Sequence, residues 1–556
     1  MADKTIPDIT TTTVLPAATD YLETGSSTRS AKTLVQNFAQ QVATRAALAA
    51  LDITSAANGV TVVVQGAAAR GDGGGATYYY DPASSATPNG VTVIAPGSGT
   101  GRWLILPVSA LPTGGATHAV LKKNSATNFD ASFYPADTIN VRDYGATGDG
   151  VTDDTAAINA AIAALTSNCA LYFPQGKYQT SGLATISGLT NVRIYGTGAV
   201  LFQTTQANNL MVVDETCSRF KIDHLIFDGT ATSRLNGVHL RMSASYSIVE
   251  SCEFKGSSDF GCFIGAQSSS TPTTEVRVIG CLARSTKGDG FHCDNVDGVT
   301  FVGCIARDTG DDAFAAVGYE SYAAPAKNVA FFGCKVYNSG FRGLALLMVQ
   351  GATVSDFVVN TSVASGIEVS DFGNTVGVFN TDITIRNCDL INCNTSPGPF
   401  AAFNLYFCQR LILENVTVRD PATDSCIALS DFDDVQIRDV EVIVTRAGFC
   451  RGIVFNDATT VNGRVTRTTW GNLAIDGFGF NIEQADNNEA IYMPTPAGRT
   501  VANLLLTGAV GSQVSAGDYI VYGGIAGIAK IGNNTCLQAR TITQVGGVAA
   551  TLFNNN

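Results

Sequence analysis

The chain has 556 residues, a formal net charge of −13, 57 glycines and only 15% charged residues. The acidic balance excludes a surface built to neutralise nucleic-acid phosphates or anionic lipid headgroups, and the glycine content with few charges favours a turn-rich β architecture over helical bundles. No apolar run approaches the roughly 18 residues of a membrane-spanning helix, and the opening MADKTIPDITTTT lacks a basic region followed by an apolar core, so neither membrane insertion nor export is expected.

Taken in order, residues 1–54 open with a Thr-rich polar segment followed by SSTRSAKTLVQNFAQQVATRAALAAL. Its Ala, Leu, Gln and Arg content predicts a helix from about Arg29 to Leu51, with Leu34, Val35, Phe38, Val42 and Leu48 as a stripe that packs on its own domain or docks another chain. Residues 55–107 change texture to VTVVVQG, ATYYYD, VTVIAP and RWLILP, short strands of a small β-module. The loop GDGGGA between them has no Lys-Ser/Thr and no helix after it, which excludes a phosphate-binding loop. Residues 108–135 read as a neck or linker.

From residue 136 to 481 the segment INVRDYGATGDGVTDDTAAINAAIAAL, then LYFPQGKYQTSG, reads as a strand, a glycine-rich turn, Asp153 or Asp154 as helix N-cap, a helix through Leu165, and a buried strand. This helix is expected to cover the open end of a coil, where unpaired strand backbone would otherwise be exposed. Beyond it one pattern returns every 23 to 30 residues: IVESCEF, VRVIGCLA, VTFVGCIA, VAFFGCKV, FVVNTSV, ITIRNCDL, LILENVTV, VQIRDVEV and TTVNGRV. They align Cys252, Cys281, Cys304, Cys334, Asn360, Cys388, Asn415, Asp439 and Asn462 in one column. Such a repeat, with a second strand-like run in each interval, describes stacked coils of a parallel β-helix. Without a C-x-x-C pair or a histidine placed to complete a zinc tetrad, the 14 cysteines read as thiols of an interior ladder. Beyond Ile482 the register is lost, and residues 482–556 read as short antiparallel strands of a C-terminal β-module that seals the coil or joins chains.

Counting eight residues past each ladder position gives Phe260, Asp289, Asp312, Arg342 and Glu368 in consecutive coils, with Asp311 beside Asp312. Coils lie about 4.8 Å apart, so these form a carboxylate wall with a cation. Carboxylates this close cannot all ionise freely, and one held protonated beside one held ionised is what glycoside hydrolysis requires. The alternative is structural, since KGDG and TGDDA are good turn sequences. His292, alternating with Phe291 and Cys293, is placed to face outward beside Asp289. Lys287, Arg284, Arg307 and Arg342 are local positive charges, Asp371 a further polar group, and Tyr319 and Tyr322 candidates to stack on sugar rings.

Three resemblances follow from these stretches. GDGGGATYYYDPASSATPNGVTVIAPGSGTGRWLIL resembles the small module near the start of many bacteriophage tail fibres and tailspikes, which implies attachment to a phage tail or baseplate protein through the N-terminus. The entry segment at residues 139–182 resembles that of pectate-lyase-like right-handed parallel β-helices, phage depolymerases among them. KGDGFHCDN followed by TGDDAFAAVG is similar to the paired motifs of polygalacturonase-type hydrolases, with Asp289 at the first aspartate and Asp311 and Asp312 at the second pair; that family's Gly-His-Gly is here GFRG, and its Arg-Ile-Lys is GIEVSD. The resemblance implies a homotrimeric tailspike assembled in the bacterial cytoplasm and carried in the virion, which cuts a capsule or O-antigen; no cofactor or metal site is read from the residues. Asp289, Asp311, Asp312 and Glu368 are the expected catalytic groups; Arg342, His292, Lys287, Tyr319 and Asp371 are the expected substrate contacts. A lyase acting on a uronate glycan and a non-catalytic adhesin are the alternatives.

Overall fold

The computed structural model describes residues 40–51, 53, 60–106, 120–123, 131–134 and 137–553, apart from 267–270, 319–324, 372–379, 397–400, 423–424, 447, 457–459, 462–463, 468, 483–488, 493–499, 508–509, 513–518, 525–527, 533–534, 537–543 and 547–549. The chain divides into two compact units, residues 1–135 and 136–556.

The first unit holds a five-stranded sheet: β1 Gln40–Val42, β2 Thr61–Val64, β3 Ala76–Asp81, β4 Val93–Ile94 and β5 Arg102–Ile105, in the order β1-β2-β3-β5-β4. The helix expected over Arg29–Leu51 is corrected over its described part: residues 40–42 are a strand paired in parallel with β2, and among the described residues of that span α1, Arg45–Ala49, is the helical stretch. Thr44 sets that start by accepting the Ala47 N–H on its hydroxyl. Leu34, Val35 and Phe38 lie outside the described residues. Leu48 joins Val62, Val64, Tyr78, Tyr80 and Trp103 in one core, so the small module begins at about residue 40 rather than 55. Its glycine-rich loop is organised by Asp72, whose carboxylate accepts the N–H groups of Ala67, Ala68, Ala69 and Gly74. In the stretch read as a neck, Val120–Lys123 and Ala131–Tyr134 pair antiparallel.

The second unit is a parallel β-solenoid of about 11 turns. Thr138–Asn140 pairs in parallel with Ala170–Phe173, and strand follows strand in parallel from there to Ala550–Phe553. The entry helix, Thr155–Ala163, places Ile158, Ala161 and Ile162 in the same core as Leu171 and Phe173. Asp153 accepts the Thr155 N–H at 2.9 Å, while buried Asp154 ties the preceding turn by accepting Thr147 N–H at 2.7 Å and Gly148 N–H at 3.1 Å.

The cysteine column is real for Cys252, Cys281, Cys304, Cys334 and Cys388, all buried thiols. The Sγ of Cys252, Cys281, Cys304 and Cys334 each points at a carbonyl of the preceding coil, as Cys304 does at Val278 O at 3.3 Å. Three other members of the column are corrected. Register places Phe357, Val416 and Val440 inside, where Asn360, Asn415 and Asp439 were expected. Asn415 and Asp439 instead belong to the neighbouring column of Gly280, Gly303, Gly333, Asp356, Asn387 and Gly477, all with φ between 48° and 67°. That left-handed corner suits Gly, Asn and Asp, which adopt it at least cost. Asn415 donates to Asn387 Oδ1 at 2.8 Å, extending the corner as an amide ladder on the outside of the solenoid. Asn462 lies outside the described residues.

The antiparallel C-terminal module is also corrected. Thr500–Thr507 stacks in parallel on Thr469–Ile482, Ile528–Gly532 on it, and Ala550–Phe553 on that. The same chain geometry therefore runs on past residue 482, with Leu504 and Leu506 continuing the interior.

Candidate active site

The site forms where each coil turns into the strands Cys262–Ile264, Phe291–Asp294, Phe314–Val317, Leu344–Leu347 and Ile367–Ser370. Before each strand runs a tight corner fixed by a hydroxyl: Ser257, Thr286 and Thr309 donate to the carbonyls of Asp259, Gly288 and Asp311 at 3.0, 2.9 and 2.9 Å. Two residue columns face outward at this corner. One carries Asp259, Gly288, Asp311 and Phe341, and the next carries Phe260, Asp289, Asp312 and Arg342. Consecutive members of the second column are joined by backbone: Asp312 N–H donates to Asp289 Oδ1 at 3.1 Å, and Arg342 N–H to Asp312 Oδ1 at 2.9 Å.

Asp289, Asp311 and Asp312 each offer a carboxylate oxygen, and the three lie within 4.8 Å of one another. Asp289 and Asp312 are buried, at 4% and 5% exposure, whereas the Asp311 side chain is 30% exposed. Burial, then the neighbouring Asp311 charge, pushes the Asp289 carboxyl well above its ordinary range; burial does the same to Asp312, with Arg342 opposing and Asp289 and Asp311 adding to it. Among the described residues this trio is the one group whose oxygens could hold a metal ion, with water completing the oxygen shell.

Arg342 and Glu368 come together as expected, although by another route. Glu368 is corrected out of the Asp289–Asp312–Arg342 column: register aligns it with His292, Ala315 and Ala345, three positions further along the strand. Arg342 reaches it sideways, donating Nε–H to Glu368 Oε2 at 2.8 Å while Nη1 lies 3.3 Å from Asp312 Oδ2. The Glu368 Oε1 accepts the Ser370 hydroxyl at 2.7 Å. Burial works against the Arg342 charge, but Asp312 and Glu368 outweigh it and keep it protonated.

His292 sits against the trio but is buried rather than open to solvent. Its Nδ1 lies 2.7 Å from Asp289 Oδ2, and its ring stacks against both Phe260 and Phe263, at 4.4 and 5.3 Å. Desolvation by burial lowers its proton affinity. Lys287 is half-buried on the turn before Gly288. Arg284 is paired with Glu253, and Arg307 lies over the Tyr337 ring. Asp371 is fully buried beyond the end of strand Ile367–Ser370. Tyr319 and Tyr322 lie outside the described residues.

Two groups escaped the sequence reading. Arg234, on the loop between Lys221–Asp228 and Leu240–Met242, donates Nε–H to Asp259 Oδ1 at 2.9 Å and pairs through Nη1 with Asp311 Oδ2. Its distance of 77 residues from Asp311 hides the contact in the sequence. Asp259 would have been found by extending the Asp311 column one position outward from Gly288.

Residues 138–336 match the family described as rhamnogalacturonase A/epimerase, pectate lyase-like, and residues 41–106 match the phage tail protein small four-stranded β-sheet domain. A mannuronan C5-epimerase, AlgE5 of Azotobacter vinelandii, is 56% identical over 45 residues, which make up 8% of this chain; the chain spans 4% of that protein's length. Among solved structures, the pre-mature gene product 12 of bacteriophage phi29 superposes with a TM-score of 0.53 at 13% identity, over 74% of this chain and 56% of that one. The Agl-KA catalytic domain superposes with a TM-score of 0.50 at 16% identity, over 66% and 68% of the two chains. These two structural likenesses are of fold alone. The first unit thus carries the match to a phage tail β-sheet domain, and the second the match to a pectate-lyase-like β-helix.

Proposed function

We propose that the solenoid hydrolyses glycosidic bonds of a bacterial surface polysaccharide, a capsule or O-antigen, during host adsorption, and that the first unit fastens it to the phage tail. The observation that carries this reading is the trio Asp289, Asp311 and Asp312 on one outward-facing corner, two members buried and held towards protonation beside one partly exposed. Hydrolysis needs both protonation states at once. A protonated carboxyl gives its proton to the glycosidic oxygen as the carbon–oxygen bond breaks; an ionised one takes a proton from the water that attacks the sugar carbon, and exchange with solvent restores both. Arg342 and Glu368 then act as a buried brace for Asp312, and His292 as a brace for Asp289, rather than as groups that touch sugar. The assembly expected from the resemblance, a homotrimer made in the host cytoplasm, belongs to this reading.

A lyase would need a cation to neutralise a uronate carboxylate and a base to take the adjacent proton. Arg342, the cation best placed by sequence, is engaged with Asp312 and Glu368, Arg234 is engaged with Asp259 and Asp311, and three aspartates surround the approach, which supports the hydrolytic reading. The test is incubation of the purified protein with surface polysaccharides of candidate hosts, following new reducing ends and ultraviolet absorbance from unsaturated uronate together. Reducing ends without that absorbance support hydrolysis, both signals support a lyase, and neither signal on a polymer that the protein binds supports an adhesin.

A further inference from the structure

One outer face of the solenoid carries cations that the candidate site does not use. The strands Glu253–Lys255, Leu282–Arg284, Ile305–Thr309 and Lys335–Ser339 stack in parallel and in register, with Phe254, Ala283, Ala306 and Val336 in the interior. Two columns therefore face outward: Glu253, Leu282, Ile305 and Lys335 in one, and Lys255, Arg284, Arg307 and Tyr337 in the other. In the first two coils each cation has its acid. Lys255 pairs with Asp228 at 3.3 Å and Arg284 with Glu253 at 2.5 Å. In the next two coils the pattern stops. Arg307 and Lys335 are exposed, and their neighbours in the two columns are Arg284, Ile305, Tyr337 and Val358, none of them a carboxylate. The acid next to Arg307 in sequence, Asp308, sits in the left-handed corner with φ 52° and accepts the Asn338 amide at 2.8 Å.

Register sets Arg307 diagonally across from Lys335, roughly 8 Å apart at the backbone. Two like charges side by side do nothing for the fold, yet both are kept on a chain whose net charge is −13. The Arg307 guanidinium lies over the half-buried Tyr337 ring, 5.1 Å from its centroid, and half-buried Ile305 and Val358 supply apolar surface beside the two charges. An acidic sugar has the matching combination: a C–H face for the ring and the aliphatic side chains, and a carboxylate for guanidinium and ammonium donors. A membrane or a nucleic acid would press many negative charges against an acidic protein, whereas a glycan with spaced acidic units brings only one or two to this patch. We infer that Arg307, Lys335 and Tyr337 form an accessory site for acidic sugar units of the polysaccharide, on the face that leads within five residues of chain into the corner of Asp311 and Asp312. This site rests on the reading above that the solenoid acts on a polysaccharide, and it holds the polymer without touching the bond that is cut.

The test uses the full chain and the double variant Arg307→Gln/Lys335→Gln, whose two positions are exposed, so that the fold is expected to be kept and thermal unfolding checks it. The first readout is calorimetric titration with tetragalacturonate and with neutral maltotetraose, at low and at physiological salt. The wild type is expected to bind the acidic oligomer at least about 10-fold more tightly than the neutral one, with the difference shrinking as salt rises. The double variant is expected to lose about 10-fold for the acidic oligomer alone. Equal affinity for the two oligomers, absence of binding to either included, or a double variant that binds as the wild type does, would overturn the inference. This readout needs no cleavage, which separates its failure from that of the hydrolase reading. In the second, on an acidic polymer that the protein cleaves, the double variant is expected to raise KM by about 10-fold with kcat within about 3-fold, and reduction of the polymer's carboxyls to alcohols is expected to erase that difference. An unchanged KM, or a lowered kcat with KM intact, would overturn it as well.

Discussion

At the scale of the residue, the trio stores a conflict between folding and chemistry. Asp289 and Asp312 have folded-state proton affinities raised above those of the unfolded chain, chiefly by burial. The sign follows directly: their contribution to stability is fully present below the ordinary carboxylate range and is lost as pH rises through the raised folded values. Asp289→Asn mimics the neutral carboxyl while keeping an oxygen to accept the Asp312 N–H, so thermal unfolding at pH 7 should show it about as stable as wild type, and inactive. A clear loss of stability would show that the ionised form is what the fold needs. Arg342→Ala should behave oppositely, because it leaves Asp312 and Glu368 buried without their cation; denaturant titration should register a loss of about 3–5 kcal/mol.

At the scale of the element, the solenoid is held by columns, each with its own chemical demand. The interior stack runs through Phe291 and Phe314, ring centroids 5.0 Å apart and both fully buried, directly behind the site corner. Phe314→Ala should cost about 3–5 kcal/mol in denaturant unfolding, and a cost near zero would mean that the coils do not pack as described. The repeat was legible because every coil spends an apolar or cysteine residue at the same place. The exact register was not, because the interior column and the left-handed corner column are adjacent in sequence, and Asn and Asp suit the second as well as cysteine suits the first; Asn415 and Asp439 were drawn one residue out of place for that reason. Asp289, Asp312 and Arg342 were legible from their fixed distance to the cysteines. Glu368 was placed in the wrong column because its own coil was counted from Asn360, three residues past the interior Phe357. Arg234 was invisible, since a contact with Asp311 from a loop three coils away leaves no periodic trace.

At the scale of the whole molecule, two units divide the labour. The first has its own core around Trp103 and the second its continuous stack, so removal of residues 1–135 should leave a folded solenoid whose rate on a cleaved polymer is within about 2-fold of the full chain, with the attachment function lost. The parallel pairing that continues to Ala550–Phe553 was hidden by irregular coil lengths after residue 482, which break the count although they leave the stacking intact. The account's central claim, that the corner carboxylates cut the glycan, is tested most directly by Asp312→Asn on a polysaccharide that the wild type degrades, measuring glycan binding and new reducing ends on the same preparation. Retained binding with reducing-end release lowered by roughly 100- to 10,000-fold is the predicted result. Release at the wild-type rate from a correctly folded Asp312→Asn would contradict it and place the chemistry elsewhere on the solenoid.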